Sequence, residues 1–108
     1  MVAHHNHMRL SARQRHAIRT AVHQQFGPQA EVRLFGSRTD DTRRGGDIDL
    51  LIECPDMDPE SQSAVEAKFR IISALHRAIG ERKIDIVLAG STSSSPVVDA
   101  ARREGVPL

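Results

Sequence analysis

Two short segments alternate between apolar and acidic or polar residues, and this alternation constrains the fold more than any other feature. Residues 47–53 place apolar side chains at every second position, with Asp47 and Asp49 between them. Residues 83–88 repeat the pattern around Asp85. Side chains of an extended strand alternate between its two faces, so each segment is predicted to be a strand with one face on a core. The predicted core positions are Ile48, Leu50, Ile52, Ile84, Ile86 and Leu88.

Helical segments surround these strands. A first helix is predicted from the N-cap Ser11 to Phe26, and a last one from Ser95 and Pro96 to Gly105. A further strand is predicted over residues 31–35. The middle helix ends at Gly80, and its predicted apolar stripe is Val65, Phe69, Ile72, Leu75 and Ile79. The expected fold class is α/β (α+β), a small mixed sheet flanked by helices.

Length and composition exclude several classes of protein. A chain of 108 residues supports one domain, predicted over residues 8–108 after a His-rich tail at residues 1–7. The net charge is +1 and the three aromatic residues are all Phe, so direct nucleic-acid binding is not favoured. The absence of an apolar run of roughly 20 residues argues against a membrane protein. Cys54 is the single cysteine, so no intrachain disulfide forms, and a reducing cytoplasm is the expected location.

The acidic residues of the two strands point to a metal. Asp47, Asp49 and Asp85 would repel one another on a half-buried sheet unless a cation lay among them. Magnesium favours oxygen ligands and often completes its coordination with water and the phosphates of a substrate. The pattern therefore predicts a site for a magnesium–nucleotide complex.

A second motif follows the first predicted strand. Gly36 lets the backbone approach a phosphate closely, and Ser37 offers a hydroxyl and an N–H donor. Arg38 comes next and supplies a guanidinium suited to phosphate oxygens. These three residues are the predicted nucleotide-binding residues.

Together, the two motifs resemble the polymerase-beta-like nucleotidyltransferase superfamily. The resemblance rests on Leu34-Phe35-Gly36-Ser37, a polar loop to Gly46, Asp47-Ile48-Asp49 and the later Ile84-Asp85-Ile86. The small size and the Gly-Ser-Arg sequence make the chain similar to minimal nucleotidyltransferase (MNT) domains in particular.

The resemblance implies a role for each motif residue. Gly36 and Ser37 would hold the β and γ phosphates of ATP, and Asp47 and Asp49 would bind Mg²⁺. Asp85 would complete a second Mg²⁺ site and help to deprotonate the attacking hydroxyl. Attack on the α phosphorus would release pyrophosphate.

The resemblance also implies a partner. MNT domains are paired with a HEPN-domain toxin and act as its antitoxin by transferring AMP to a hydroxyl, commonly of tyrosine. This chain contains no tyrosine, which is consistent with an acceptor on another protein. Two alternatives stay open: a non-catalytic antitoxin that neutralises HEPN by binding, and nucleotidyl transfer to a small molecule. A homo-oligomer is compatible with the sequence as well.

Overall fold

The computed structural model describes residues 10–36 and 47–108. The His-rich tail, Ser37, Arg38 and the rest of the loop before Asp47 lie outside the described residues. The elements in chain order are α1 (Ala12–Phe26), β1 (Glu31–Phe35), β2 (Ile48–Glu53), α2 (Gln62–Ile79), β3 (Ile84–Ala89), α3 (Pro96–Glu104) and β4 (Val106–Pro107). Three helices and a four-stranded mixed sheet in these ranges confirm the predicted fold class.

Each helix begins at a serine that satisfies free backbone N–H groups. The Ser11 side chain accepts a hydrogen bond from the Gln14 N–H, and the Gln14 side chain accepts one from the Ser11 N–H, which together form a capping box. Ser61 caps α2, and Ser95 caps α3 directly before Pro96. The predicted starts at Ser11 and Ser95 are therefore confirmed, and α2 begins three residues before the first residue of its predicted stripe.

The sheet has the strand order β3-β2-β1-β4. β2 and β3 are parallel and α2 connects them, whereas β1 is antiparallel to both β2 and β4. This order places β2 in the interior of the sheet, between β1 and β3. Two parallel strands joined by a helix form the βαβ unit of α/β proteins.

The main core lies between one face of the sheet and helices α1 and α2. Ile48, Leu50 and Ile52 of β2 are fully buried there, as the alternation predicts. The buried residues that the two helices contribute are Ile18, Ala21 and Val22 from α1 and Ile71 and Leu75 from α2.

The opposite face carries a second, smaller core. Leu51 and Ala89 are fully buried on this face and pack with Val98 and Ala101 of α3. The expectation that only one face of β2 meets a core is therefore wrong for the C-terminal half of the strand. There the amphipathic helix α3 covers the second face.

Two further differences from the sequence-based expectations concern α2 and the chain end. Phe69 was predicted within the buried stripe of α2 but is 58% exposed, because Ala64 and Ala67 occupy the packed side of the helix instead. The two-residue strand β4 was not predicted. In the part of the chain that the structure describes, no helix combines the length and apolar character needed to cross a membrane.

Candidate active site

Asp49 and Asp85 lie side by side on the sheet. The parallel register pairs Asp49 of β2 with Asp85 of β3, and the antiparallel register pairs Asp49 with Phe35 of β1 on its other side. Directly opposed residues of neighbouring strands project from the same face. Asp47 precedes β2 by one residue and shares the parity, and therefore the face, of Asp49. The sequence-predicted acidic residues are thus brought to one end of one face.

Among residues 10–36 and 47–108, no helix covers this end of the face. α3 packs on Leu51 and Ala89, further along the same face. The Asp85 side chain is 59% exposed, and Asp47 and Asp49 are half-buried. Access of a ligand to these carboxylates therefore requires no movement of α3.

The carboxylates disturb one another electrostatically. Burial raises the pKa of the Asp49 carboxyl above its ordinary value, and the negative charges of Asp85 and Asp47 raise it further. A hydrogen bond with the Asp85 side chain also favours the protonated form of Asp49, whereas Lys83 acts in the opposite direction. The described residues of this site thus carry more negative charge than positive charge.

Gly36 packs directly against this cluster. Its φ of +73° lies in the left-handed region that residues with a Cβ avoid. A Cβ at this position would lie 2.7 Å from Asp49 Oδ2, closer than the two atoms can approach. Glycine at position 36 therefore allows both the positive φ at the end of β1 and the observed position of the Asp49 carboxylate.

The donor set suits a divalent cation. Asp49 and Asp85 supply adjacent carboxylate oxygens, and their mutual repulsion is what a bound cation would relieve. Among residues 10–36 and 47–108, no group of three or more His, Cys, Asp or Glu side chains has the spacing of a complete metal site. The described carboxylates that could hold a cation are therefore an adjacent pair with Asp47 beside it, and water and a substrate would supply further oxygens.

The structure adds one residue that the sequence reasoning missed. Lys83 Nζ lies 4.0 Å from Asp85 Oδ2. Its positive charge offsets part of the rise in the pKa of Asp49. The signal was present in the sequence, since Lys83 is two residues before Asp85 and therefore shares its face. The Lys83 carbonyl also accepts the N–H of Ile48 at 2.9 Å, which fixes the backbone of Lys83 beside the start of β2.

Only one of the three predicted nucleotide-binding residues belongs to the part of the chain that the structure describes. Gly36 is described and lies beside Asp49, whereas Ser37 and Arg38 lie outside the described residues. Their assigned contacts with phosphate stay predictions.

Comparison with known proteins identifies the family of this sequence. The nucleotidyltransferase domain family matches residues 16–106, which include Gly36, all three aspartates and every strand except the last residue of β4. No curated protein matches the sequence at a significant level. Because the family match spans most of the 108 residues, the chain belongs to the nucleotidyltransferase domain family.

Proposed function

We propose that this protein is a Mg²⁺-dependent nucleotidyltransferase that transfers AMP from ATP to a tyrosine hydroxyl of a HEPN-domain toxin, and thereby acts as its antitoxin in the cytoplasm. Membership of the family supports nucleotidyl transfer in general. The observation that carries the proposal is the opposed pair Asp49 and Asp85 on one sheet face, next to Gly36. The resemblance of the motifs to MNT domains supports the HEPN partner and the choice of ATP.

Each residue has a distinct task in the proposed reaction. Asp47 and Asp49 would hold one Mg²⁺, and Asp85 would share in holding a second. Bound metal ions would neutralise charge on the attacking and leaving oxygens. Gly36 has no side chain and would let phosphates approach the backbone at the end of β1, with Ser37 and Arg38 following it in the chain.

The exposed carboxylate of Asp85 suits proton removal from the acceptor. The acceptor oxygen forms a bond to the α phosphorus of ATP, the bond from that phosphorus to the β-phosphate oxygen breaks, and pyrophosphate leaves. The proton of the hydroxyl passes to Asp85. These 108 residues include no tyrosine, so the acceptor tyrosine of the proposed reaction lies outside them.

Intact-mass analysis tests the proposal. A HEPN-domain protein, sought among the genes next to the gene for this chain, is incubated with the purified protein, Mg²⁺ and each of the four nucleoside triphosphates in turn. We expect the partner to gain one or more AMP units with ATP, and no mass with the Asp47→Ala, Asp49→Ala double variant. Asp56→Ala, which removes an exposed carboxylate from the loop after β2, is the matched control and retains transfer.

Two results would contradict the proposal. A stable complex that silences the toxin without any adduct would leave an antitoxin that acts by binding. Transfer to an added aminoglycoside but not to the HEPN protein would identify a small-molecule enzyme.

A further inference from the structure

We propose that Lys83 binds the phosphate groups of the nucleotide and exchanges its contact with Asp85 for them. The inference rests on the proposed nucleotidyl transfer and adds a residue to that site. It begins from the position of Lys83 on this face, where its ammonium group lies 4.0 Å from Asp85 Oδ2.

The contact between Lys83 and Asp85 is easily exchanged. The two side chains are 68% and 59% exposed, and an ion pair in that environment contributes little to stability. Lysine carries a point charge on a flexible four-carbon stem, so its ammonium group can move by several ångströms while its backbone stays in place. Here the backbone is fixed by the 2.9 Å hydrogen bond from the Ile48 N–H to the Lys83 carbonyl.

The residues around Lys83 indicate that its ligand would be the phosphate groups of a nucleotide. Lys83 flanks β2 on one side and Gly36 flanks it on the other, with Asp47 and Asp49 between them. A nucleotide whose phosphates lie over this row brings several negative charges to a site that already holds three carboxylates. The Lys83 ammonium group can leave Asp85 once a metal ion binds that carboxylate. It is then available to bind the phosphates.

A competing explanation makes Lys83 only a counterion for Asp85. In that case, Lys83→Met would leave nucleotide affinity unchanged and would strengthen Mg²⁺ binding, because a competitor for the carboxylate is removed. The two explanations thus predict different nucleotide affinities for the same variant.

Calorimetric titration separates them. The probe is an ATP analogue in which a methylene group bridges the α and β phosphorus atoms, so that transfer cannot occur, in the presence of Mg²⁺. We expect Lys83→Met to bind the analogue about tenfold more weakly than the wild type, the scale of one exposed charge-assisted hydrogen bond, and Lys83→Arg to bind within about threefold of it. Arg77→Met removes an exposed positive charge from α2, on the other side of the sheet, and is expected to bind like the wild type.

Chemical footprinting tests the wild-type protein without any substitution. The chain has two lysines, Lys83 and Lys68, and Lys68 lies on α2 with its ammonium group 5.5 Å from the centre of the Phe69 ring. We expect the bound analogue to slow acetylation of Lys83 several-fold and to leave Lys68 unchanged.

The outcomes distinguish this proposal from the one it rests on. If the wild type binds the analogue while Lys83→Met binds it equally well and acetylation of Lys83 is unaffected, the role of Lys83 is refuted and the proposed function is untouched. A wild-type protein that binds no analogue at all would contradict both.

Discussion

At the scale of single residues, Gly36 couples the backbone to the chemistry of the site. Its positive φ disfavours residues that have a side chain. Its α-carbon also lies so close to Asp49 that a methyl group at position 36 would displace the Asp49 carboxylate. Gly80 has a similar φ of +92°, but a Cβ there would meet nothing within 4 Å. The two glycines therefore share the conformational requirement and differ in the steric one.

Alanine substitution separates these two requirements. We expect Gly36→Ala and Gly80→Ala each to lower the free energy of unfolding by about 1 kcal/mol through the left-handed conformation. Only Gly36→Ala should also reduce nucleotide transfer, by tenfold or more, since it alone moves the Asp49 carboxylate. Urea unfolding and the intact-mass assay measure the two effects. Equal loss of transfer in both variants would show that the close approach to Asp49 is irrelevant.

At the scale of elements, a cluster of charged residues fastens α3 to the sheet. Arg102 of α3 donates from Nε to Glu53 Oε2 at 2.7 Å and from Nη1 to the Ser93 carbonyl at 2.9 Å. Glu53 also lies 3.5 Å from the Nε of Arg33 on β1. These side chains are only a fifth to a third exposed, so their contacts are less screened than those of surface pairs.

Removal of Arg102 should therefore weaken the packing of α3. We expect Arg102→Ala to lower the free energy of unfolding by about 1–2 kcal/mol, because Glu53 and the Ser93 carbonyl both lose a donor. Arg103→Ala, which removes a neighbouring side chain that is 67% exposed, should change it by less than about 0.5 kcal/mol. Urea unfolding followed by circular dichroism compares them. Indistinguishable variants would mean that the apolar contacts of Val98 and Ala101 alone hold α3.

The sequence predicted elements whose signal is local and missed features set by distant contacts. Alternation identified β2 and β3 to within one residue at each end, since side-chain period is a property of the strand itself. The same alternation placed Asp49 and Asp85 on polar faces. It could not establish that they oppose each other, because register depends on which strands pair.

Phe69 and β4 show why other features were missed. Hydrophobicity favoured Phe69 for the core, whereas the close packing of α1 and α2 selects small alanines on the contact side of α2. β4 is two residues long and includes Pro107, so it has no period to detect. Its position is set by pairing with β1 and by the Leu108 N–H, which donates to the Val32 carbonyl.

At the scale of the whole molecule, the acidic site costs stability that a ligand would restore. The pKa of Asp49 is raised above its ordinary value of 3.8, so the folded protein binds this proton more tightly than the unfolded chain does. Protonated Asp49 therefore contributes to the stability of the folded protein. This contribution is complete below pH 3.8 and is lost as the pH rises through the folded-state pKa of Asp49. At neutral pH, the ionised Asp49 therefore makes the metal-free protein less stable than a neutral residue would.

Asp49→Asn should accordingly stabilise the metal-free protein while it destroys the site. With a chelator at about pH 7, we expect the melting temperature of the variant to exceed that of the wild type by roughly 1–4 °C, a small shift because the site is partly exposed to solvent. At about pH 3 the difference should vanish, since the wild-type carboxyl is then protonated as well. Asp56→Asn, a control at an exposed loop position, should show neither effect.

Addition of Mg²⁺ and the non-reactive ATP analogue should reverse the order of stability. A ligand that binds only the folded state stabilises it by about 2.7 kcal/mol at a concentration one hundred times its Kd. The wild type should gain that increment, and Asp49→Asn, which lacks a metal-binding carboxylate, should gain little. Differential scanning calorimetry at both pH values, with and without ligand, measures all of these differences. If Asp49→Asn melts below the wild type in chelator at neutral pH, the repulsion among the carboxylates is not a cost to the fold, and the electrostatic argument for a cation at this site fails with it.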